Sequence, residues 1–133
     1  MTVKTCLLIT DDPDDHQAFS EAFAEVSENT VVLIVLDSQK ALEMLRAKKH
    51  RPDFIFLDLS MHGIRINTFL KYIKVDDLNL KLVPVVVYGD VSEFYKLEFS
   101  SEVTFFNKEY EYSELRDFLR EFFRIPGHEV TDI

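Results

Sequence analysis

The chain has 133 residues, 47% of them hydrophobic and 12 of them phenylalanine, enough to bury the core of one domain and too few for two ordinary ones. Its net charge of −9 excludes a binder of nucleic-acid backbone, which needs clustered Lys and Arg. No apolar run approaches the roughly 18 residues of a membrane span. The lone Cys6 excludes an internal disulfide, and no signal-peptide pattern precedes the first strand, so a cytoplasmic protein is expected.

Short apolar runs alternate with helical patterns from the start. Lys4 to Thr10 reads as a first strand, with Cys6 as a small core residue. Asp12-Pro13-Asp14-Asp15 then reads as an N-cap, a proline at N1 and acids in the first turn. The helix that follows places Phe19, Ala22, Phe23 and Val26 on one face. Val31 to Leu36 is a second strand, and Asp37-Ser38 caps a second helix with Ala41, Leu42 and Leu45 inward, ending at Lys48-Lys49-His50. A third strand is expected at Asp53 to Leu57 and a third helix at Asn67 to Lys74, with Phe69, Leu70 and Ile73 as its core face. Val83 to Tyr88 makes a fourth strand, whose Pro84 is tolerable near its start. A fourth helix from Ser92 to Phe99, a short strand from Val103 to Phe106 and a last helix from Ser113 complete the series. Leu115, Phe118, Leu119, Phe122 and Phe123 keep helical spacing in that last helix. Five strands alternating with five helices predict an α/β fold, a flavodoxin-like doubly wound (βα)5 sandwich on a five-stranded parallel sheet. The domain is expected over residues 4–123, with 124–133 as a C-terminal tail around Pro126-Gly127.

In such a fold, ligand sites lie at the carboxyl ends of the strands, near the reversal of strand order. There stand Asp11 and Asp12, Asp58, Gly89 and Lys108. Carboxylates converging from two strand ends invite a hard cation such as Mg2+. With a lysine opposite them they suit phosphoryl chemistry, one carboxylate attacking phosphorus and the ammonium neutralising charge. His16, His50, His62 and His128 have no metal-ligand spacing and read as surface residues, although His62 lies close to Asp58.

The segments Leu7-Leu8-Ile9-Thr10-Asp11-Asp12-Pro13-Asp14-Asp15 and Asp53-Phe54-Ile55-Phe56-Leu57-Asp58-Leu59-Ser60-Met61 carry a family likeness. Phe69 to Lys74, Val83 to Val87 and Phe105-Phe106-Asn107-Lys108 extend it. Over residues 4–123 the chain resembles the receiver domains of two-component response regulators, above all the stand-alone type that opens with a D-P-D-D loop. The resemblance implies a phosphoacceptor at Asp58 and Mg2+ held by Asp11, Asp58 and the backbone carbonyl of Ser60. It further implies a phosphoryl-binding Lys108 and a switch aromatic at Phe105. Aligning on Pro13 puts Thr10 where receivers carry the first of two acids, with Asp12 as a cap; the register that pairs Asp11 with Asp12 as the metal acids stays open.

Several positions depart from the family pattern. Gly89 replaces a Ser or Thr and has only its backbone N–H for a phosphoryl oxygen. His62 and Glu109 replace prolines, and Arg65 and Ile66 replace an acid or amide and a glycine. Glu109 makes a trans bond and a shifted Lys108 plausible, because a cis Lys108-Glu109 bond would cost about 2.5–4 kcal/mol. Losing the hydroxyl removes a charge-assisted hydrogen bond of about 1.5–3 kcal/mol, roughly ten- to hundredfold in rate.

The leading expectation is a single-domain receiver that takes a phosphoryl group on Asp58 from a histidine kinase or phosphotransfer protein. It would be a signalling protein rather than an enzyme, working through an unidentified downstream protein or a phosphorelay. The alternative is a pseudo-receiver, an interaction module not switched by phosphorylation. An aspartate-nucleophile phosphatase is disfavoured, since Ser60 stands where those enzymes carry a second Asp. The face built by the fourth helix, fifth strand and fifth helix is the candidate surface for a homodimer or partner, with Phe94, Tyr95, Leu97 and Phe99 near it.

Overall fold

The computed structural model describes residues 3–27, 29–47, 51–61, 65–77 and 79–124. Its elements are β1 (Lys4–Ile9), α1 (Pro13–Val26), β2 (Thr30–Val35), α2 (Ser38–Arg46), β3 (Phe54–Asp58), α3 (Ile66–Lys71), β4 (Val85–Gly89), β5 (Thr104–Asn107) and α4 (Tyr112–Arg124). The strands form one sheet in the order β2-β1-β3-β4-β5, with every neighbouring pair parallel. This is the expected doubly wound flavodoxin-like architecture, and its strand order reverses between β1 and β3.

The alternation of side chains along each strand divides the core into two layers. Leu7 and Ile9 of β1, Ile55 and Leu57 of β3 and Val85 and Val87 of β4 point to one face, where α2 and α3 supply Ala41, Leu42, Leu45, Phe69 and Leu70. Cys6 and Leu8, Phe54 and Phe56, and Val86 and Tyr88 point to the other, against Phe19 and Phe23 of α1 and Leu115, Leu119 and Phe122 of α4. The second layer is aromatic: Phe19 meets Phe56 edge-on at 5.4 Å, and Phe54 meets Phe122 at 5.3 Å. Such contacts contribute roughly 0.5–1.5 kcal/mol each beyond the area they bury. Cys6 is fully buried in this layer, and burial pushes its thiol far above the ordinary range.

Caps set the starts of α1 and α2. The Asp12 side chain accepts from Asp14 N–H with Pro13 at the first helical position, and Asp37 accepts from Lys40 N–H. The third helix differs from expectation at both ends: α3 starts at Ile66 and widens over Tyr72–Asp76 into π turns. There Lys74 is buried, its Nζ donating to the carbonyls of Lys81 (3.2 Å) and Val83 (2.9 Å).

The expected fourth α-helix is absent. Val91–Lys96 and Ser100–Glu102 form 3-10 turns instead, joined through Phe99 in the left-handed region at φ 60°. Phe94 and Leu97 stand three positions apart, a step a 3-10 turn accommodates, and both pack on the core layer of α2 and α3. Asp90 fixes the start by accepting from both N–H and Oγ of Ser92. The last helix, α4, reaches Arg124, one residue past the expected domain boundary; the rest of the tail, the Lys48-Lys49-His50 segment and His62 lie outside the described residues.

Gly89 ends β4 where the chain leaving β3 passes close by. A Cβ on Gly89 would stand 2.8 Å from Cβ of Leu59, so the hydroxyl residue expected from the family has no room without backbone movement. Gly89→Ser is therefore expected to destabilise the chain by about 1–3 kcal/mol. Urea unfolding checks this, with a lowered midpoint at unchanged slope as the result.

Candidate functional site

The facing pattern that builds the aromatic layer also builds the site. Continuing Cys6 and Leu8 by two residues reaches Thr10, continuing Phe54 and Phe56 reaches Asp58, and Tyr88 follows Val86 in β4. Ile9 pairs with Leu57 and Asp58 with Tyr88, so Thr10, Asp58 and Tyr88 stand side by side across three strands. On β5 the same row passes through Phe106, which pairs with Tyr88, to Lys108 just beyond the strand. Above this row lies the first turn of α1, which contributes Asp15.

Asp58 is fully buried and makes four hydrogen bonds. Its Oδ1 accepts from Ser60 N–H (2.8 Å) and Ser60 Oγ–H (2.7 Å). Its Oδ2 accepts from Thr10 Oγ1–H (2.7 Å) and from the Lys108 ammonium (2.7 Å). Burial alone raises the Asp58 carboxyl, but the bonds from Lys108, Ser60 and Thr10 outweigh it and hold the group below the usual carboxylate range. Asp58 is thus ionised at neutral pH.

Asp15, also buried, is the group that sequence reading passed over as an ordinary first-turn acid. Its Oδ2 accepts from Lys108 Nζ (2.8 Å) and from Tyr88 OH (3.2 Å), and its Oδ1 accepts from Tyr110 OH (2.7 Å). Thr10 Oγ1 lies 3.4 Å from the same Oδ2. Asp15 precedes Phe19 by four residues and Ala22 by seven, so its position on the buried stripe of α1 was legible in the helical spacing. Burial is the largest influence on Lys108 and lowers it. The hydrogen bonds and charges of Asp15 and Asp58 reverse that and push the ammonium well above its ordinary value. Burial raises both Tyr88 and Tyr110 and the nearby carboxylates add to it, so both phenols stay protonated as donors.

The remaining predicted residues fall as follows. Asp12 caps α1 and lies 3.5 Å from Lys108 Nζ, and its N–H donates to Thr10 Oγ1. Thr10 is buried and occupies the inward position at the end of β1. Asp11 is exposed and bonds to none of the described residues. No cis peptide occurs among the described residues, yet Lys108 reaches Asp58 across a trans bond to Glu109. Gly89 approaches Lys108 through its carbonyl, which accepts Lys108 N–H at 3.0 Å. Phe105 lies on the opposite side of the sheet from Phe106 and stacks on Phe94 at 4.5 Å, 36% exposed. His16 is half-buried rather than a surface residue, its Nε2 bonded to the Thr10 carbonyl at 2.8 Å.

A cavity of about 350 Å³ opens to solvent, lined by Asp90, Asn107, Glu109 and the two partners of Asp58, Ser60 and Lys108. Its oxygen-rich surroundings have the chemistry a hard cation prefers. The side chains as placed do not fit one. Both oxygens of Asp58 are taken, Asp11 stands apart, and no group of three or more His, Cys, Asp or Glu among the described residues is arranged to hold a metal ion.

Residues 7–120 match the family described as the response regulator receiver domain. The chain belongs to the response regulator receiver family, a component of two-component signalling. Among individual proteins it is similar to sporulation initiation phosphotransferase F of Bacillus subtilis (strain 168), 28% identical over 80 residues, which is 60% of this chain and 64% of that one. It therefore spans less than two thirds of that relative's length. The phosphorylated cyanobacterial phytochrome response regulator RcpA is 26% identical with a TM-score of 0.75, covering 90% of this chain and 91% of its own. A response regulator in red light signalling of R. palustris (15%, TM-score 0.78, 97% of each chain) shares the fold. So does the Mn2+-bound form of response regulator Rcp1 (21%, TM-score 0.76, 96% of this chain and 97% of that one). No described helix is long and apolar enough to cross a membrane.

The depressed Asp58 pKa has a definite consequence for acid stability. Its folded value lies below its unfolded value, so the stability it contributes is complete above the unfolded carboxylate pKa, about 3.9, and is lost as pH falls through the folded value. The difference in unfolding free energy between wild type and Asp58→Asn should shift against the wild type on acidification below about pH 4. Urea titrations at a series of pH values check the sign.

Proposed function

We propose that this receiver accepts a phosphoryl group on Asp58 from a histidine kinase or phosphotransfer protein and signals by protein contact or phosphorelay. The single observation that carries the reading is an ionised, buried Asp58 whose partners Ser60 and Lys108 line an open cavity, with Lys108 Nζ 2.7 Å from its Oδ2. An Asp58 oxygen attacks phosphorus, the bond from phosphorus to the donor's nitrogen or oxygen breaks, and the donor leaves with the bonding pair. Lys108 neutralises charge gathering on the phosphoryl oxygens, and the Ser60 N–H and hydroxyl hold the other side of the carboxylate. The similarity to phosphotransferase F and to a phosphorylated phytochrome response regulator supports a phosphorelay partner. The family likeness adds Mg2+ as the expected cofactor, although the side chains here offer it no ready place.

A buried free Cys6 and the acidic composition suit a cytoplasmic setting. Output would pass through the face formed by Val91–Lys96, β5 and α4, where Tyr95 is 80% exposed and Phe105 lies beside it on Phe94, toward a downstream protein or a second copy. The second reading, a binding module not switched by phosphorylation, draws on Gly89, which leaves no room for the usual hydroxyl, and on the four bonds already made by Asp58.

Incubation with acetyl phosphate and Mg2+, followed by intact mass, decides between them. A gain of one phosphoryl group, absent in Asp58→Asn, is the expected result. An unchanged mass after prolonged incubation would leave the binding module as the function.

A further inference from the structure

Three carboxylates converge on one ammonium. Lys108 Nζ lies 2.7 Å from Asp58, 2.8 Å from Asp15 and 3.5 Å from Asp12, with the Tyr88 ring centroid at 5.4 Å. Asp15 is itself immobilised: Tyr110 holds one of its oxygens and Tyr88 the other, while Tyr110 N–H is bonded to the Lys108 carbonyl at 2.9 Å. Lys108 is thereby gripped at its head through Asp15 and at its backbone through Tyr110. An ammonium among hard oxygens satisfies much of the same electrostatic demand as a divalent cation in that place.

We infer that Asp15 is a positioning residue that holds the Lys108 ammonium as the resident cation of this carboxylate site, so that a divalent ion must compete with the lysine for the same oxygens. The inference rests on the geometry and stands whether or not Asp58 is phosphorylated.

Two measurements test it, neither depending on phosphorylation. The first is Mn2+ binding followed by electron paramagnetic resonance of the free ion. Lys108→Met leaves Asp12, Asp15 and Asp58 without their internal cation and should bind Mn2+ about tenfold tighter than wild type. The gain should vanish in Lys108→Met combined with Asp58→Asn. Equal or weaker binding by Lys108→Met would overturn the competition.

The second measurement is acylation of lysines by an amine-reactive ester, read per residue by mass spectrometry under conditions where each variant is folded. Lys108 should react roughly fivefold or more faster in Asp15→Asn than in wild type, because that change removes the charged oxygen that holds Nζ at 2.8 Å inside the cluster and frees the head to meet reagent. Lys96, exposed and paired with Glu93, serves as the internal reference and should not change. A purely structural role for Asp15 would lower stability without moving this ratio, and an unchanged ratio would sink its positioning role. Should Lys108→Met fail to fold, the acylation ratio decides alone.

Discussion

Asp15 and Asp58 are ionisable groups inside the protein, and the carboxyl edge of the sheet is organised around making that tolerable. A carboxylate withdrawn from water is costly unless charge and hydrogen bonds replace the lost hydration. Lys108 supplies the charge to both, while Thr10, Ser60, Tyr88 and Tyr110 supply donors. These residues come from β1 through its final loop, α1, the end of β3, β4 and the segment after β5. No pair of elements could assemble the cluster alone. The pairing of strands at the reversal of order is what brings them within reach. Partial satisfaction would be worse than none, because a network with one lost donor strands a buried charge.

Much of this was legible in the sequence. Period-two facing in apolar strands, read to their ends, places Thr10, Asp58, Gly89 and Lys108 at one edge, and the cap at Asp12 follows from its proline. Asp15 escaped because two rules compete for it. An acid in the first turn of a helix is well explained by the dipole, and that explanation hid the fact that it also heads the buried stripe of Phe19, Ala22 and Phe23. Tyr88 and Tyr110 escaped for a different reason: an aromatic in a strand or loop is adequately explained as packing until its hydroxyl is asked for a partner. The connection from β4 to β5 reads as an α-helix because Phe94, Tyr95, Leu97 and Phe99 satisfy a loose helical pattern, yet it folds as 3-10 turns. A three-residue step such as Phe94 to Leu97 suits one face of either helix type, so the pattern alone does not separate the two geometries.

The two faces of the sheet have divided roles. The carboxylate cluster crowns the aromatic layer beneath α1 and α4, whereas Phe105 and Phe94 stack on the aliphatic side. A rearrangement at Asp58 reaches that aromatic pair only by passing through the sheet. β5 is the natural carrier, since it is an edge strand of four residues whose Phe105 and Phe106 face opposite ways and whose end delivers Lys108. The backbone N–H of Lys108 is tied to the Gly89 carbonyl, so the end of β5 that carries the lysine is fixed to β4.

The single thiol of Cys6 sits in the central part of the sheet, on β1 between β2 and β3, paired across to Val32 and Phe54. With no exposed surface and a strongly raised pKa, it offers neither access nor thiolate to a reagent while the strands stay closed. The native chain therefore carries its own gauge of opening: a thiol reagent consumes it only as fast as β1 is uncovered, and the rate reads the free energy or the speed of that event according to which step limits it.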